Sequence, residues 1–251
     1  MSAPRLALTL GDVAGAGPEV VVRSLVQQAP HRDWRTVIVG CPEVVRRALR
    51  LVGSDWDVSS IHEPGEGWSQ PGHLVVWNPA GVNVDDLPAG IADGRAGQAA
   101  CDWLLAATRA ALKHQIDAIV TAPLSKLGLH KAGIQFPGHT EILASECGVR
   151  EVAMMLYLPP GAPLAPGQSL SIAHATLHTS IASVPRLLTG QRVLETIELI
   201  DRFLARLGEH RRIGVCALNP HAGEDGLFGD EEVRVIAPAV EQARQRGFKA
   251  V

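Results

Sequence analysis

The sequence predicts an α/β protein built on a largely parallel sheet, and two patterns carry that expectation. Short, continuously apolar runs alternate with longer runs in which apolar residues recur every three or four positions, the signature of strands alternating with amphipathic helices. The strand-like runs are apolar throughout rather than at every second residue, as in a sheet covered on both faces.

Residues 6–10 (LALTL) form the first expected strand, and GDVAGAGPE carries the chain from it into a helix over about 18–28. Three glycines permit a tight turn there, and Pro18 suits the first helical position. A second strand over 36–39 is followed by a helix over 43–51. Residues 54–72, rich in Gly, Ser, Pro and Trp, read as a surface excursion, and 74–77 as a short strand. A long helix over 94–114 places Ala, Leu and Trp at spacings of three and four. The strand over 117–121 must turn at Ala122-Pro123. Strands over 152–158 and 169–176 are joined by the Pro/Gly-rich PPGAPLAPGQ. In 193–207 the residues Val193, Leu194, Ile197, Ile200, Leu204 and Leu207 make one helical stripe, and Gly208 is the expected stop. A strand over 212–218 and a helix over 231–245 follow, and GFKAV reads as the start of another strand.

Composition excludes several classes of function. A net charge of −3 gives no electrostatic reason for nucleic acid or an anionic membrane as partner, and one Tyr with four Phe supplies little for base stacking. No apolar run is long enough to span a bilayer, and the N-terminus lacks a secretory pattern. Cys41, Cys101, Cys147 and Cys216 lie far apart with no CxxC spacing, which argues against a disulfide framework or zinc knuckle. A cytoplasmic protein with reduced thiols is the expectation.

Four motifs could carry chemistry. The first is GDVAGAGPE, whose helix start could bind an anion through free N–H groups; it is equally a glycine-rich turn, and it fits neither the dinucleotide nor the P-loop pattern. The second is Thr121-Ala122-Pro123-Leu124-Ser125-Lys126 with the following Pro137-Gly138-His139-Thr140-Glu141. A strand end delivers Lys126 to the rim of a parallel sheet, where ligands bind in such folds. His139 and Thr140 could offer donors to a carboxylate or phosphate, while Thr140 could instead cap a helix. The third is His174-Ala175-Thr176-Leu177-His178-Thr179, whose residues 174, 176 and 178 would share a face if extended. The fourth, Asn219-Pro220-His221-Ala222-Gly223-Glu224, follows an expected strand. Imidazoles at strand ends suit zinc and related divalent ions, although a metal site normally wants three protein ligands. His31, His62, His73, His114 and His210 read as surface residues, and His130 sits close to the second motif.

In this order, GDVAGAGPE, VTAPLSK, FPGHTE, ATLHTS and LNPHAGEDGLFGDEE resemble the 4-hydroxythreonine-4-phosphate dehydrogenase family, with its GDPAGIGPE, VTAP or VTGP with a following Lys, GHTE, and LNPHAGE. The resemblance spans nearly the whole chain. It implies a fold like that of isocitrate and isopropylmalate dehydrogenases: two α/β domains around a cleft, mostly parallel, with the active site shared across a homodimer. On that pattern residues 1–122 and 219–251 belong to a first domain and 123–218 to a second that carries dimerisation and metal-ligand regions.

The resemblance further implies divalent-metal- and NAD- or NADP-dependent oxidation, with decarboxylation, of a β-hydroxy acid such as 4-phosphooxy-threonine or a phospho-threonate. His178 and His221 match two of the family's three metal-binding histidines, for Zn, Mn, Co or Mg. His139 and Thr140 match its substrate-contacting pair, and Lys126 is the expected catalytic residue. Val13 replaces the family's usual proline, ATLHTS its THLPL-type stretch, and VTAP stands in place of VTGP. The last two substitutions resemble relatives that act on threonate- or erythronate-type phosphates or on aromatic cis-dihydrodiol carboxylates. The family also carries a C-terminal segment with the third histidine, so the fold expected of this stretch is incomplete at that end, and a catalytically silent module is the alternative reading.

Overall fold

The computed structural model describes residues 3–28, 33–161, 163–208 and 212–251, which pack as two units, 1–150 and 151–251. The first unit is organised by a parallel sheet of β1 (Arg5–Thr9), β2 (Arg35–Val39), β3 (Asp57–Ile61), β4 (His73–Trp77) and β5 (Ala118–Thr121), in the order β3-β4-β2-β1-β5. Strand β1 is paired on both sides, with Leu8 opposite Ile38 of β2 and Val120 of β5.

Two helices, α1 (Gly17–Gln28) and α2 (Pro42–Leu51), pack against each other, and α3 (Gly94–Leu112) packs along β1, β2 and β5. Continuous apolar strands became the interior, as expected: Val37, Ile38 and Val39 are inaccessible, as are Val22, Val44, Leu74 and Trp103. Each such aliphatic side chain contributes about 1.5–3 kcal/mol by leaving water. Trp103 keeps its indole N–H satisfied by donating to Asn78 Oδ1 at 3.1 Å. Two short helices, α4 (Lys126–Lys131) and α5 (His139–Glu146), lie against α3.

Residues 54–72 are not wholly an excursion. They contain β3, a half-exposed edge strand whose DVSSI lacks an apolar run because only one side of it is paired.

The second unit holds an antiparallel pair, β6 (Met155–Leu158) and β7 (Leu170–Ala173), a short turn of helix α6 (Val184–Leu187), the long α7 (Gly190–Leu207) and α8 (Ala237–Gln245). The stripe expected on α7 is its buried face, apart from Leu207, which is exposed. Thr189 caps its start by accepting from Arg192 N–H, and Gly208 ends it in the left-handed conformation at φ 70°. Ala239, Val240 and Ala243 of α8 join the same core.

One expectation needs correction. Residues 212–218 form no strand ladder; Ile213 alone makes a bridge, parallel to Ala250 in the expected GFKAV strand, because only that short stretch lies beside it. The compact units, 1–150 and 151–251, are each contiguous in sequence, with 123–150 packed on α3 and 219–251 on α7.

Candidate active-site loops

The first motif and the second meet in space. Parallel pairing sets Thr9 beside Thr121, so the loops leaving β1 and β5 emerge side by side at the carboxyl edge of the sheet. Ligands in open α/β sheets bind outside the carboxyl ends of the strands, the edge at which these two loops emerge. Asp12 N–H donates to the Pro123 carbonyl at 2.9 Å and joins the loops. The glycines are required at that contact. Gly11 lies at φ +64°, and a Cβ on it would stand 2.2 Å from the Pro123 carbonyl oxygen; one on Gly17 would stand 2.3 Å from that of Leu10.

Beyond β5, Ser125 caps α4 by accepting from Gly128 N–H, and Lys126 is exposed as the first residue of that helix. Helix α5 begins at His139, with Gly138 as its N-cap and no side-chain cap. Thr140 therefore does not cap the helix; it is an exposed residue of the first turn. Ile142, fully buried with Leu104 and Leu129, anchors α5. The His139 ring is half-buried, and burial lowers its pKa, an effect the nearby Ala122 carbonyl partly opposes. At neutral pH it is a neutral imidazole bonded to Ala122, the residue that follows β5. Lys126, His139 and Thr140 thus all belong to the loops and helices that follow β5.

His178 and His221 belong to the second unit, and both are exposed at positive φ, 51° and 53°. Strand β7 stops at Ala173, so residues 174, 176 and 178 do not share the extended face expected of them. The loop bearing His221 is held in an unusual form: His221, Ala222, Gly223, Glu224 and Asp225 all have left-handed φ/ψ angles. Such runs persist only where the surroundings over-determine them. Here Glu232 does so. Its carboxylate accepts from Leu218 N–H and Asn219 N–H, each at 2.7 Å, and from Asn219 Nδ2 at 2.9 Å. Sequence reasoning missed Glu232 and Asn219 as a pair; the available signal was the acidic GDEE following a glycine-rich loop.

Two imidazoles suit a borderline divalent ion such as Zn or Co better than Mg. Among the described residues, no group of three or more His, Cys, Asp or Glu side chains could hold a metal ion. His178 and His221 are of a donor type that such an ion takes, and no third donor stands with them among the described residues. His73 is half-buried and paired with Ser59 Oγ at 2.7 Å rather than free at the surface, while His31 and His210 lie outside the described residues.

Residues 32–251 match the family model described as pyridoxal phosphate biosynthetic protein PdxA. The chain is similar to a 4-hydroxythreonine-4-phosphate dehydrogenase of Geobacter metallireducens, 38% identical over 99% of this chain and 71% of that protein. It is 40% identical to a D-threonate 4-phosphate dehydrogenase of Cupriavidus necator, over 97% of this chain and 71% of that one. A crystal structure of 4-hydroxythreonine-4-phosphate dehydrogenase from Klebsiella pneumoniae superimposes with a TM-score of 0.85 at 36% identity, covering 99% of this chain and 73% of that chain. Agreement of family model, sequence and fold over this extent leads to one conclusion: the chain belongs to the PdxA family of dehydrogenases.

Proposed function

We propose that this protein oxidises a phosphorylated β-hydroxy acid, 4-phosphooxy-threonine or a threonate phosphate, with NAD or NADP as hydride acceptor and a homodimer as the working assembly. One observation carries the reading most directly. At the carboxyl edge of β1 and β5 the glycine turn, the exposed Thr140, the neutral His139 and the side-chain-uncapped start of α5 lie on neighbouring loops. Uncapped N–H groups at a helix start favour an anion, and a hydroxyl and an imidazole add directed hydrogen bonds.

In this reading His139, Thr140 and the α5 amides hold the anionic end of the substrate. His178 and His221 are the residues that would hold a divalent ion, which supplies Lewis acidity toward a hydroxyl oxygen. NAD or NADP would supply the hydride acceptor when bound, and Lys126 is the candidate base for the hydroxyl proton. The product is a β-keto acid, which can lose CO₂.

The test is NADH formation by the purified protein with 4-phosphooxy-threonine and D-threonate 4-phosphate, after chelation and with Zn, Mn, Co or Mg restored. Metal-dependent turnover of one substrate is expected, with metal binding lost in His178→Ala and His221→Ala. A folded protein that reduces no cofactor with either acid would overturn the reading, and full metal retention in both variants would overturn the ligand assignment.

A further inference from the structure

The chain leaving β4 does not turn directly into α3. Strand β2 stands between β4 and β1, yet residues 83–92 reach the glycine turn that follows β1. This segment therefore runs as a strap along the carboxyl edge of the parallel strands. Val84 and Leu87, both buried, pin it to the core of the first unit. Asn78 Nδ2 donates to the Val82 carbonyl at 2.9 Å where the strap begins. Lys131 Nζ, on α4, donates to the Ala92 carbonyl at 2.9 Å where it ends.

Arg47, on α2, joins the strap to the turn. Its Nη1 donates to the carbonyls of Asp85 at 3.0 Å and Leu87 at 3.4 Å, and its Nη2 donates to the Val13 carbonyl at 3.0 Å. The planar fork sends one arm into each segment, a geometry that the single nitrogen of a lysine does not reproduce. The remaining groups of the turn are also bonded. Ala14 N–H donates to Asp12 Oδ1 at 3.0 Å, so the peptide plane between residues 13 and 14 is held at both ends. The Ala14 carbonyl accepts from Gly90 N–H of the strap at 2.7 Å, and Gly15 N–H donates to the Asp12 carbonyl at 3.1 Å, which holds the next plane in the same way. Val13 and Ala14 are buried, and buried backbone groups are costly to leave unpaired. The strap side of the turn is thus fixed by two donors, the Arg47 guanidinium and Gly90 N–H.

We infer that Arg47 is a positioning residue, the clamp that makes the glycine turn and the 83–92 strap one rigid wall at the edge where β1 and β5 end. It acts through the Val13 carbonyl and not on a substrate directly. Because Asp12 N–H is bonded to the Pro123 carbonyl and Lys131 to Ala92, the same wall is tied to the loop after β5 and to the helix that begins with Lys126. The bearing of Arg47 on substrate rests on the function proposed above; the clamp itself does not.

The experiment compares amide hydrogen exchange in the purified protein with that in Arg47→Met, which keeps an aliphatic stem without donors, and in Arg47→Lys. In Arg47→Met, exchange across 11–17 and across 83–92 should rise together by about tenfold or more, with 35–39 and 74–77 unchanged. Arg47→Lys should give a smaller rise in both segments, and it serves alone if Arg47→Met does not fold. In the NADH assay the released turn should raise KM for the phosphorylated acid more than it lowers kcat. A rise in one segment only, no rise in either, or an equal rise in the core strands would overturn the clamp. Coupled exchange in a protein that reduces no cofactor would instead sink the functional reading and leave the clamp standing. Turnover with KM unchanged in a loosened Arg47→Met would remove the bearing of Arg47 on substrate.

Discussion

Glu232 and Asn219 form a closed contact in which one carboxylate takes both the backbone N–H and the side-chain amide of the asparagine, at 2.7 and 2.9 Å. Asn219 lies two residues before the left-handed run that begins at His221. Asn219 Nδ2 also donates to Glu231 at 2.7 Å, so the loop is tied to two consecutive acidic residues.

Loss of that anchor should release the loop. Glu232→Ala is expected to speed hydrogen exchange across 219–228 while leaving 193–204 unchanged. The Asn219 side chain and backbone amide hold the Glu232 carboxyl below its ordinary pKa. A depressed carboxylate pKa means that the stabilisation is complete above the unfolded value and is lost as pH falls through the folded one. Loop protection should therefore be constant near neutrality and fall in acid, whereas Glu232→Gln should give a loop of lower protection with little pH dependence. Equal acid sensitivity in both proteins would refute the anchoring role.

The amino ends of β1 and β5 are joined by a second carboxylate. Asp117 accepts from Arg5 N–H at 2.7 Å, from Arg5 Nε at 3.0 Å and from an Arg5 terminal nitrogen at 2.8 Å, and these bonds draw its pKa down to about 2. Asp117→Asn should lower the melting temperature of the first unit at pH 7. Because the folded pKa lies below the unfolded one, the wild-type advantage should shrink from the ordinary carboxylate range of about 4 downward and vanish near pH 2. Calorimetry of both proteins between neutral and acid pH measures this; a constant difference would rule the ion pair out as its source.

How much of this was legible beforehand depended on burial. Strands β1, β2, β4 and β5 and helices α1, α2, α3 and α7 follow from apolar patterning because their faces enter a core. Strand β3 escaped notice because an edge strand needs no apolar run, and α4 and α5 because each is short and buries few residues. Residues 212–218 are apolar like a strand, yet strand character needs partners on the right edges, which local sequence cannot supply. Motifs singled out Lys126, His139, Thr140, His178 and His221 as candidates; that His178 and His221 take left-handed backbone and that α5 starts without a side-chain cap was not legible, since such conformations are set by tertiary contacts.

The glycine turn after β1 tolerates no side chain at residue 17. A Cβ at residue 17 would lie 2.3 Å from the Leu10 carbonyl oxygen, a backbone atom in the sheet that cannot step aside. Gly17→Ala should cost about 1–3 kcal/mol through forced backbone displacement, whereas Gly15→Ala, whose Cβ would meet nothing closer than 3.5 Å, should be tolerated. Denaturant midpoints of the two variants discriminate; equal midpoints would mean that the turn yields more easily than its contacts imply.

Helix α5 shows how a buried aliphatic residue can govern a polar one. Eight residues do not make a stable helix in isolation, so α5 relies on tertiary contacts, and Ile142 is its fully buried residue. Ile142→Ala should cost about 2–5 kcal/mol, the usual range for deleting a packed aliphatic side chain. The consequence for the site is chemical as well as mechanical. Burial lowers the His139 pKa, so in the wild type the unfolded chain takes up a proton before the native one does, and stability declines as pH falls from about 6.5 toward the folded value. Loosening α5 admits water to that ring and should return its titration toward the ordinary value. Histidine titration by NMR, with Thr140→Ala as a variant that leaves the packing intact, provides the comparison. If Ile142→Ala destabilises the protein while His139 titrates as in the wild type, the imidazole is held by the Ala122 carbonyl alone and not by the packing of α5.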